Sequence, residues 1–211
     1  SHGAALPSLV AGEGPDLLYL PERTFSVEEF LSDVRAALAR HPGVVVAVSE
    51  GVRNADGEYI GSLGQSGAVD AFGHKYLAGT GKVLENIVKE SIGCKVRSIE
   101  LSLPQRCAAH LASATDLAES VTIGSAAVAA ATGGATGCVM SYRRIEGEKY
   151  AVTTETTPVA KVANLIRTVP AEFINRAGNG ITPAGLRYIL PLIQGEATPR
   201  YVDGLPYQLK I

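Results

Sequence analysis

Glu50 follows the run Val44-Val45-Val46-Ala47-Val48-Ser49 and precedes Gly51, so a carboxylate is delivered at the carboxyl end of what reads as a buried strand. Ligands of open α/β sheets bind beyond the carboxyl ends of strands. A carboxylate there takes hydrogen bonds from sugar hydroxyls, each charge-assisted bond contributing about 1.5–3 kcal/mol. The same group also suits a turn cap, and Glu22, behind Leu17 to Leu20 and Pro21, reads more simply that way. Arg97 and Arg106 bring a different chemistry. A guanidinium is a planar fork of donors that matches a phosphate monoester and stays charged near neutral pH. Hydroxyl acceptor and phosphate donor together describe a sugar phosphate. An extended chain advances about 3.3 Å per residue, which allows the two arginines to lie up to about 30 Å apart, too far to grip one ester. Either the chain turns back at Pro104, or each arginine serves a different copy of the site across a subunit interface. Each alone also fits a surface arginine paired with an acid.

Other spacings carry less chemistry. Gly79-Thr80-Gly81-Lys82 resembles the end of a phosphate loop, but Tyr76 stands where the first glycine belongs and Val83 where a magnesium-binding hydroxyl belongs, so the segment reads as a helix start. Gly133-Gly134-Ala135-Thr136-Gly137 follows a helix instead of linking strand to helix and reads as a stop signal. His2, His41, His74 and His110 form no ligand pair, and only His74, in Asp70-Ala71-Phe72-Gly73-His74, stays on watch. Cys94, Cys107 and Cys138 are odd in number and unevenly spaced, which predicts buried free thiols, with neither disulfide framework nor zinc pattern.

The elements that must position these groups alternate. Leu17–Leu20 reads as a strand. A helix follows, with Ser26 and Glu29 as a capping box and Val27, Phe30, Leu31, Val34 and Leu38 along one face. The β-branched run Val44–Val48 predicts a strand covered on both faces. Residues 52–68 are polar and glycine-rich and are expected to form a flexible surface loop. A helix is expected from about Lys75 to Ser91, with Leu77, Leu84, Ile87 and Val88 inward and Gly93 past its end, then an extended stretch from Cys94 to Leu103. The next helix is expected to begin near Thr115 or Asp116, with Glu119 closing its box. Leu117, Val121, Gly124 and Val128 share one of its stripes. Val139–Tyr142 and Lys149–Thr153 predict a hairpin turning around Gly147, and short helices are expected near Val159 and Pro183. The pattern is that of a three-layer α/β domain over 1–150, with an extension over 151–211.

With 211 residues, 46% hydrophobic and 19% charged, the composition is that of a soluble globular protein. A net charge of −2 gives no broad cationic surface for nucleic acid. No apolar run is long enough to span a bilayer, and Ser1 onward lacks the pattern of a signal peptide, so no membrane partner and a cytoplasmic location are expected.

Taken together, VVVAVSEGV, KVRSIELSLPQRCAAHLASATD, DAFGH and LPLIQGE resemble the phosphofructokinase family, in particular the carboxyl-terminal part of its long pyrophosphate-dependent kind. The resemblance covers nearly the whole chain and implies a Rossmann-like, parallel-rich sheet with a hairpin and helical extension. It assigns Glu50, Gly51, Arg97, Gln105 and Arg106 to fructose 6-phosphate. In that scheme Arg97 is lent by a neighbouring subunit and Arg106 reaches the 6-phosphate within its own, which implies a homo-oligomer. Leu103 departs from the histidine or tyrosine of many relatives and cannot donate to the phosphate. The family's Gly-Gly-Asp donor loop and Thr-x-Asp base segment have no match, so no catalytic residue and no metal ligand is expected in this chain. Magnesium and the donor, pyrophosphate or alternatively ATP, would be bound by the amino-terminal half. The family's Met-Gly-Arg triplet would fall immediately before Ser1, so the chain is expected to begin just after that arginine, and alone to be inactive. A non-catalytic sugar-phosphate-binding module is the other reading.

Overall fold

A computed structural model of the chain describes residues 14–64, 79–147 and 149–207. These fall into two compact units: residues up to 105 together with 169–188, and residues 106–168 together with those from 189 onward. The expected division at 150 does not hold, because residue 150 lies in the turn of a hairpin whose two strands belong to one ladder in the second unit.

In the first unit, β1 (Leu17–Tyr19) and β2 (Val46–Val48) pair in parallel with Leu17 opposite Val46 and Tyr19 opposite Val48. The chain passes between them through α1 (Val27–Leu38). The Ser26 hydroxyl accepts from the Glu29 amide at 3.3 Å, so the capping residue acts where the sequence places it. Phe30, Val34 and Ala37 turn inward at helical spacing and are buried. Phe30 meets Phe25 and Tyr19, their ring centroids 5.2–5.6 Å apart, a separation at which aromatic pairs add to simple burial. α2 (Thr80–Ile92) contributes Leu84 and Val88 to the same cluster. It begins at Gly79 and stops at Gly93, whose φ of 76° is the left-handed conformation glycine adopts without a Cβ clash. Gly79–Lys82 is therefore a helix start, as its sequence predicts. The upstream part of the expected helix, with Leu77, and the segment Asp70 to His74 lie outside the described residues.

Residues 169–188 return to β1. The Leu18 amide donates to the Asn179 carbonyl at 2.9 Å, and the Tyr19 hydroxyl and Asn179 Nδ2 both donate to Asp33 Oδ2 at 2.8 Å. Burial and the Asp33 carboxylate push the Tyr19 hydroxyl up, which keeps it a donor at every physiological pH.

Two expectations fail in this unit. β2 is half-exposed along its length, and among the described residues it pairs with β1 only; a β-branched run specifies a strand but not how many of its faces are covered. Residues 52–64 are no flexible loop. Val52 and Ile60 are fully buried, the Ile60 amide donates to the Val52 carbonyl at 3.1 Å, and a 3-10 turn closes the excursion at Ile60–Gly64. Its polar, glycine-rich sequence conceals two core residues. Residues 65–68 lie outside the described set.

The second unit holds α4 (Ala114–Thr132) and the antiparallel pair β3 (Cys138–Arg144) and β4 (Val152–Pro158), with Cys138 opposite Pro158 and Arg144 opposite Val152. A short helix, α3 (Ser102–Cys107), precedes it at the junction of the units, α5 (Pro183–Ile189) leads back into it, and β5 (Tyr201–Val202) pairs with β6 (Leu205–Pro206). The expected helix near Val159 is a single 3-10 turn. α4 starts earlier than predicted: Ser113 is its cap, accepting from the Asp116 amide at 3.0 Å and donating to the Leu192 carbonyl at 2.6 Å. The Tyr142 hydroxyl donates to the Glu119 carbonyl, fixing β3 to the helix. The expectation of buried thiols also fails: all three cysteines are free, but Cys107 is exposed and Cys94 and Cys138 are only half-buried.

Candidate sugar-phosphate site

Glu50 stands in the turn just past β2, its side chain exposed. Its backbone is held on both sides. The Glu50 carbonyl accepts from Thr80 Oγ1 at 3.4 Å, Thr80 itself being buried at the first turn of α2, and the Gly51 amide donates to Ser49 Oγ at 3.3 Å. Gly51 lies beside Pro21, which a Cβ at this position would meet at 3.4 Å, an ordinary contact, so the two strand ends lie close together. Among the described residues the Glu50 carboxylate holds no turn amide.

Arg97 lies in a stretch without regular secondary structure between Gly93 and Leu101. The next residue ties this stretch to α2: the Ser98 amide and hydroxyl both donate to Glu85 Oε2, at 2.8 and 2.6 Å. Lys82 Nζ approaches the other Glu85 oxygen at 2.5 Å. Lys82 and the two Ser98 donors hold the Glu85 carboxyl down at about 2, so it is ionised under all ordinary conditions. Gly81 completes the fit, since a Cβ there would come within 3.2 Å of Glu100 Oε1 and 3.3 Å of Ser98 Cβ. The Glu100 carboxylate thus occupies the neighbourhood of α2's amino-terminal turn, where a negative group complements the helix dipole.

The first two turns of α2 therefore hold the backbones beside Glu50 and Arg97, bringing two of the predicted residues to one end of one helix. Glu85, Ser98 and Thr80 are the positioning residues that the sequence does not announce. Lys82 and Glu85 have the spacing of an ordinary helical ion pair, and nothing local signals that Glu85 also binds a residue thirteen positions on.

Gln105 and Arg106 are neighbours in the last turn of α3, both exposed. This corrects the expected extended stretch to Leu103: Ser102 to Cys107 is helical in spite of Pro104, which is tolerated in a helix's first turn because no intrahelical bond needs its nitrogen. Because a helix advances about 1.5 Å per residue, the ceiling on the Arg97–Arg106 separation falls to about 23 Å, still too long for one ester to be reached without further folding back. Leu103 is exposed on the same helix and offers no donor. Among the described residues neither arginine has an acidic partner.

Glu22, past the end of β1, has a structural duty: Oε1 accepts from the Val169 amide at 2.9 Å, while Oε2 is buried without a partner. Among the described residues no three His, Cys, Asp or Glu side chains gather as a metal site, and no helix is long and apolar enough to cross a membrane.

No family model matches the sequence. Individual proteins do. The chain is 37% identical over 207 residues to a pyrophosphate–fructose 6-phosphate 1-phosphotransferase of Halomonas elongata, covering 98% of this chain and 49% of that protein. It is 39% identical over 202 residues to the protein of the same name from Xanthomonas campestris pv. campestris, covering 93% and 48%. Among solved structures, the pyrophosphate-dependent phosphofructokinase of Nitrosospira multiformis superposes with a TM-score of 0.75 at 32% identity, over 92% of this chain and 44% of that one. The chain spans about half the length of the curated relatives it matches, and on sequence and fold together it belongs to the pyrophosphate-dependent branch of the phosphofructokinase family.

Proposed function

We propose that this chain is the sugar-phosphate-holding, carboxyl-terminal portion of an enzyme that phosphorylates fructose 6-phosphate at its 1-hydroxyl, with pyrophosphate as donor. The observation that carries the reading is Glu50, exposed just past the carboxyl end of β2 with its backbone carbonyl accepting from Thr80 in the first turn of α2. The Glu50 carboxylate accepts from sugar hydroxyls. Arg97 and Arg106 donate to the 6-phosphate, with Gly51 and Gln105 shaping the same site. In the reaction the 1-hydroxyl oxygen attacks the terminal phosphorus of pyrophosphate, the bridging P–O bond breaks, orthophosphate leaves, and the hydroxyl proton passes to a base outside this chain. Such transfer depends mainly on positioning and charge stabilisation, and this chain supplies the positioning of the acceptor.

The names of the relatives favour pyrophosphate over ATP as donor and an enzyme over a non-catalytic module. In this reading a magnesium ion travelling with the donor would be bound mainly by the half of the relatives that this chain does not match. The reading further places Arg97 in a neighbouring subunit's site, hence a homo-oligomer, in the cytoplasm. Steady-state kinetics of the full-length enzyme test it. Glu50→Ala, Arg97→Ala and Arg106→Ala each raise the KM for fructose 6-phosphate by roughly 10- to 150-fold, as loss of one charge-assisted contact requires, and leave the pyrophosphate KM within about twofold. Unaltered sugar kinetics in all three would refute the assignment.

A further inference from the structure

Asp33 and Asn179 lie 146 positions apart in the chain and meet, half-buried, beside β1: Asp33 Oδ2 accepts from Asn179 Nδ2 and from the Tyr19 hydroxyl, each at 2.8 Å. A carboxylate acceptor makes such bonds stronger than their neutral counterparts. Asn179 is aimed at Asp33 by Asn175. Asn175 Oδ1 accepts from the Asn179 amide at 3.1 Å, Asn175 Nδ2 donates to Asn179 Oδ1 at 3.0 Å, and the Asn175 amide donates to the Gly180 carbonyl at 2.9 Å. A Cβ on Gly180 would press on Asn175 Nδ2 at 2.9 Å, so a glycine keeps this ring of bonds closed.

Such bonds could serve only to fasten a late segment to the domain, as Glu22 does at Val169. Two further bonds carry the network toward the sugar-phosphate site. The Leu18 amide donates to the Asn179 carbonyl at 2.9 Å, and the Tyr19 carbonyl accepts from the Ser49 amide at 3.0 Å. Tyr19 is thereby held on α1 by its hydroxyl and on the residue before Glu50 by its carbonyl. Ser49 is buried, and its hydroxyl accepts from the Gly51 amide at 3.3 Å. The residues on both sides of Glu50 therefore take their position from β1. We propose that Asp33 and Asn179 are positioning residues of the sugar-phosphate site: they fix β1 and, through Tyr19 and Ser49, the turn that presents the Glu50 carboxylate. This role rests on the assignment of Glu50 to the sugar.

The readouts are steady-state kinetics and amide hydrogen exchange in the full-length enzyme. Asp33→Ala and Asn179→Ala are each expected to raise the KM for fructose 6-phosphate roughly 3- to 10-fold, with kcat and the pyrophosphate KM within about twofold, as cutting a network behind one subsite requires. Exchange at the Ser49 and Gly51 amides is expected to quicken at least about threefold, while the α2 amides around Leu84 keep their rates. Asp33→Asn retains a carbonyl oxygen able to accept from both donors, so it is expected to stay within about twofold of wild type in both readouts. Loosening of the whole fold would move both Michaelis constants, kcat and the α2 amides together. That result, unchanged exchange at Ser49 and Gly51, or a loss in Asp33→Asn as large as in Asp33→Ala overturns the role. Should Asp33→Ala not fold, Tyr19→Phe decides, because it deletes one hydroxyl and keeps the ring against Phe25 and Phe30. Glu50→Ala, measured alongside, separates the two levels. Unaltered sugar kinetics in Asp33→Ala beside an impaired Glu50→Ala overturn the positioning role alone, whereas unaltered sugar kinetics in Glu50→Ala overturn the site assignment and this role with it.

Discussion

A guanidinium and a carboxylate do different work at this site, and the difference is measurable in single substitutions. Among the described residues Arg97 has no acidic partner, so Arg97→Ala is expected to forfeit the proposed phosphate contact without breaking an ion pair among them. Arg97→Lys keeps the charge but loses the planar fork, and is expected to recover only part of the affinity. Glu85 is the subtler case because its two oxygens are engaged by Lys82 and Ser98. Its carboxyl is lowered from 4.5 to about 2 by Lys82 and Ser98. A depressed carboxylate contributes stability that is fully present above its unfolded value and is lost as pH falls through its folded value. Wild type therefore loses this contribution between about 4.5 and about 2, and Glu85→Gln, which never has the charge, lacks that segment of the acid transition. At neutral pH Glu85→Gln loosens Ser98 and so raises the fructose 6-phosphate KM while leaving that for pyrophosphate unchanged. Acid titration followed by circular dichroism, alongside kinetics at pH 7, checks both; an identical acid limb in the two proteins would remove Glu85 from the account.

At the scale of elements, the excursion after β2 behaves as core. Ile60 is fully buried against the cluster that includes Phe30 and Leu84, so Ile60→Ala in the full-length protein is expected to cost about 2–5 kcal/mol, read from denaturant unfolding. A flexible surface loop would lose less than about 0.5 kcal/mol. How far elements were legible from sequence depended on whether their signal was local. Ser26 with Glu29, the glycine after α2 and the β-branched run of β2 are local signals, and the first of these helices, the end of α2 and β2 lie within a residue or two of where the sequence puts them, whereas α2 starts at Thr80 instead of about Lys75. Val52 and Ile60 are buried by long-range packing that their polar neighbours conceal. α3 is not legible because a proline within an apparently extended stretch does not announce itself as a first-turn helix residue. The same limit applies at the site: Glu50 and the two arginines are visible as residue types, whereas the bond from Glu85 to Ser98 exists only once α2 and the following segment meet.

For the molecule as a whole, the proposed function gives this chain the sugar-phosphate end and assigns the donor end to the half of the relatives that it does not match, so with fructose 6-phosphate and pyrophosphate the 211-residue chain is expected to show no phosphoryl transfer while the full-length enzyme does, by orthophosphate release. Turnover by the short chain alone would mean that it holds the transfer machinery itself. In the proposed site, fixed cations meet an anionic sugar ester beyond the carboxyl end of β2, and a crystal structure of the full-length enzyme with fructose 6-phosphate puts this to the test. Guanidinium nitrogens of Arg106 and of a neighbouring subunit's copy of Arg97 are expected at about 2.7–2.9 Å from the 6-phosphate oxygens, with Glu50 accepting from a sugar hydroxyl. Both guanidinium groups directed to solvent, away from the bound ester, would contradict it.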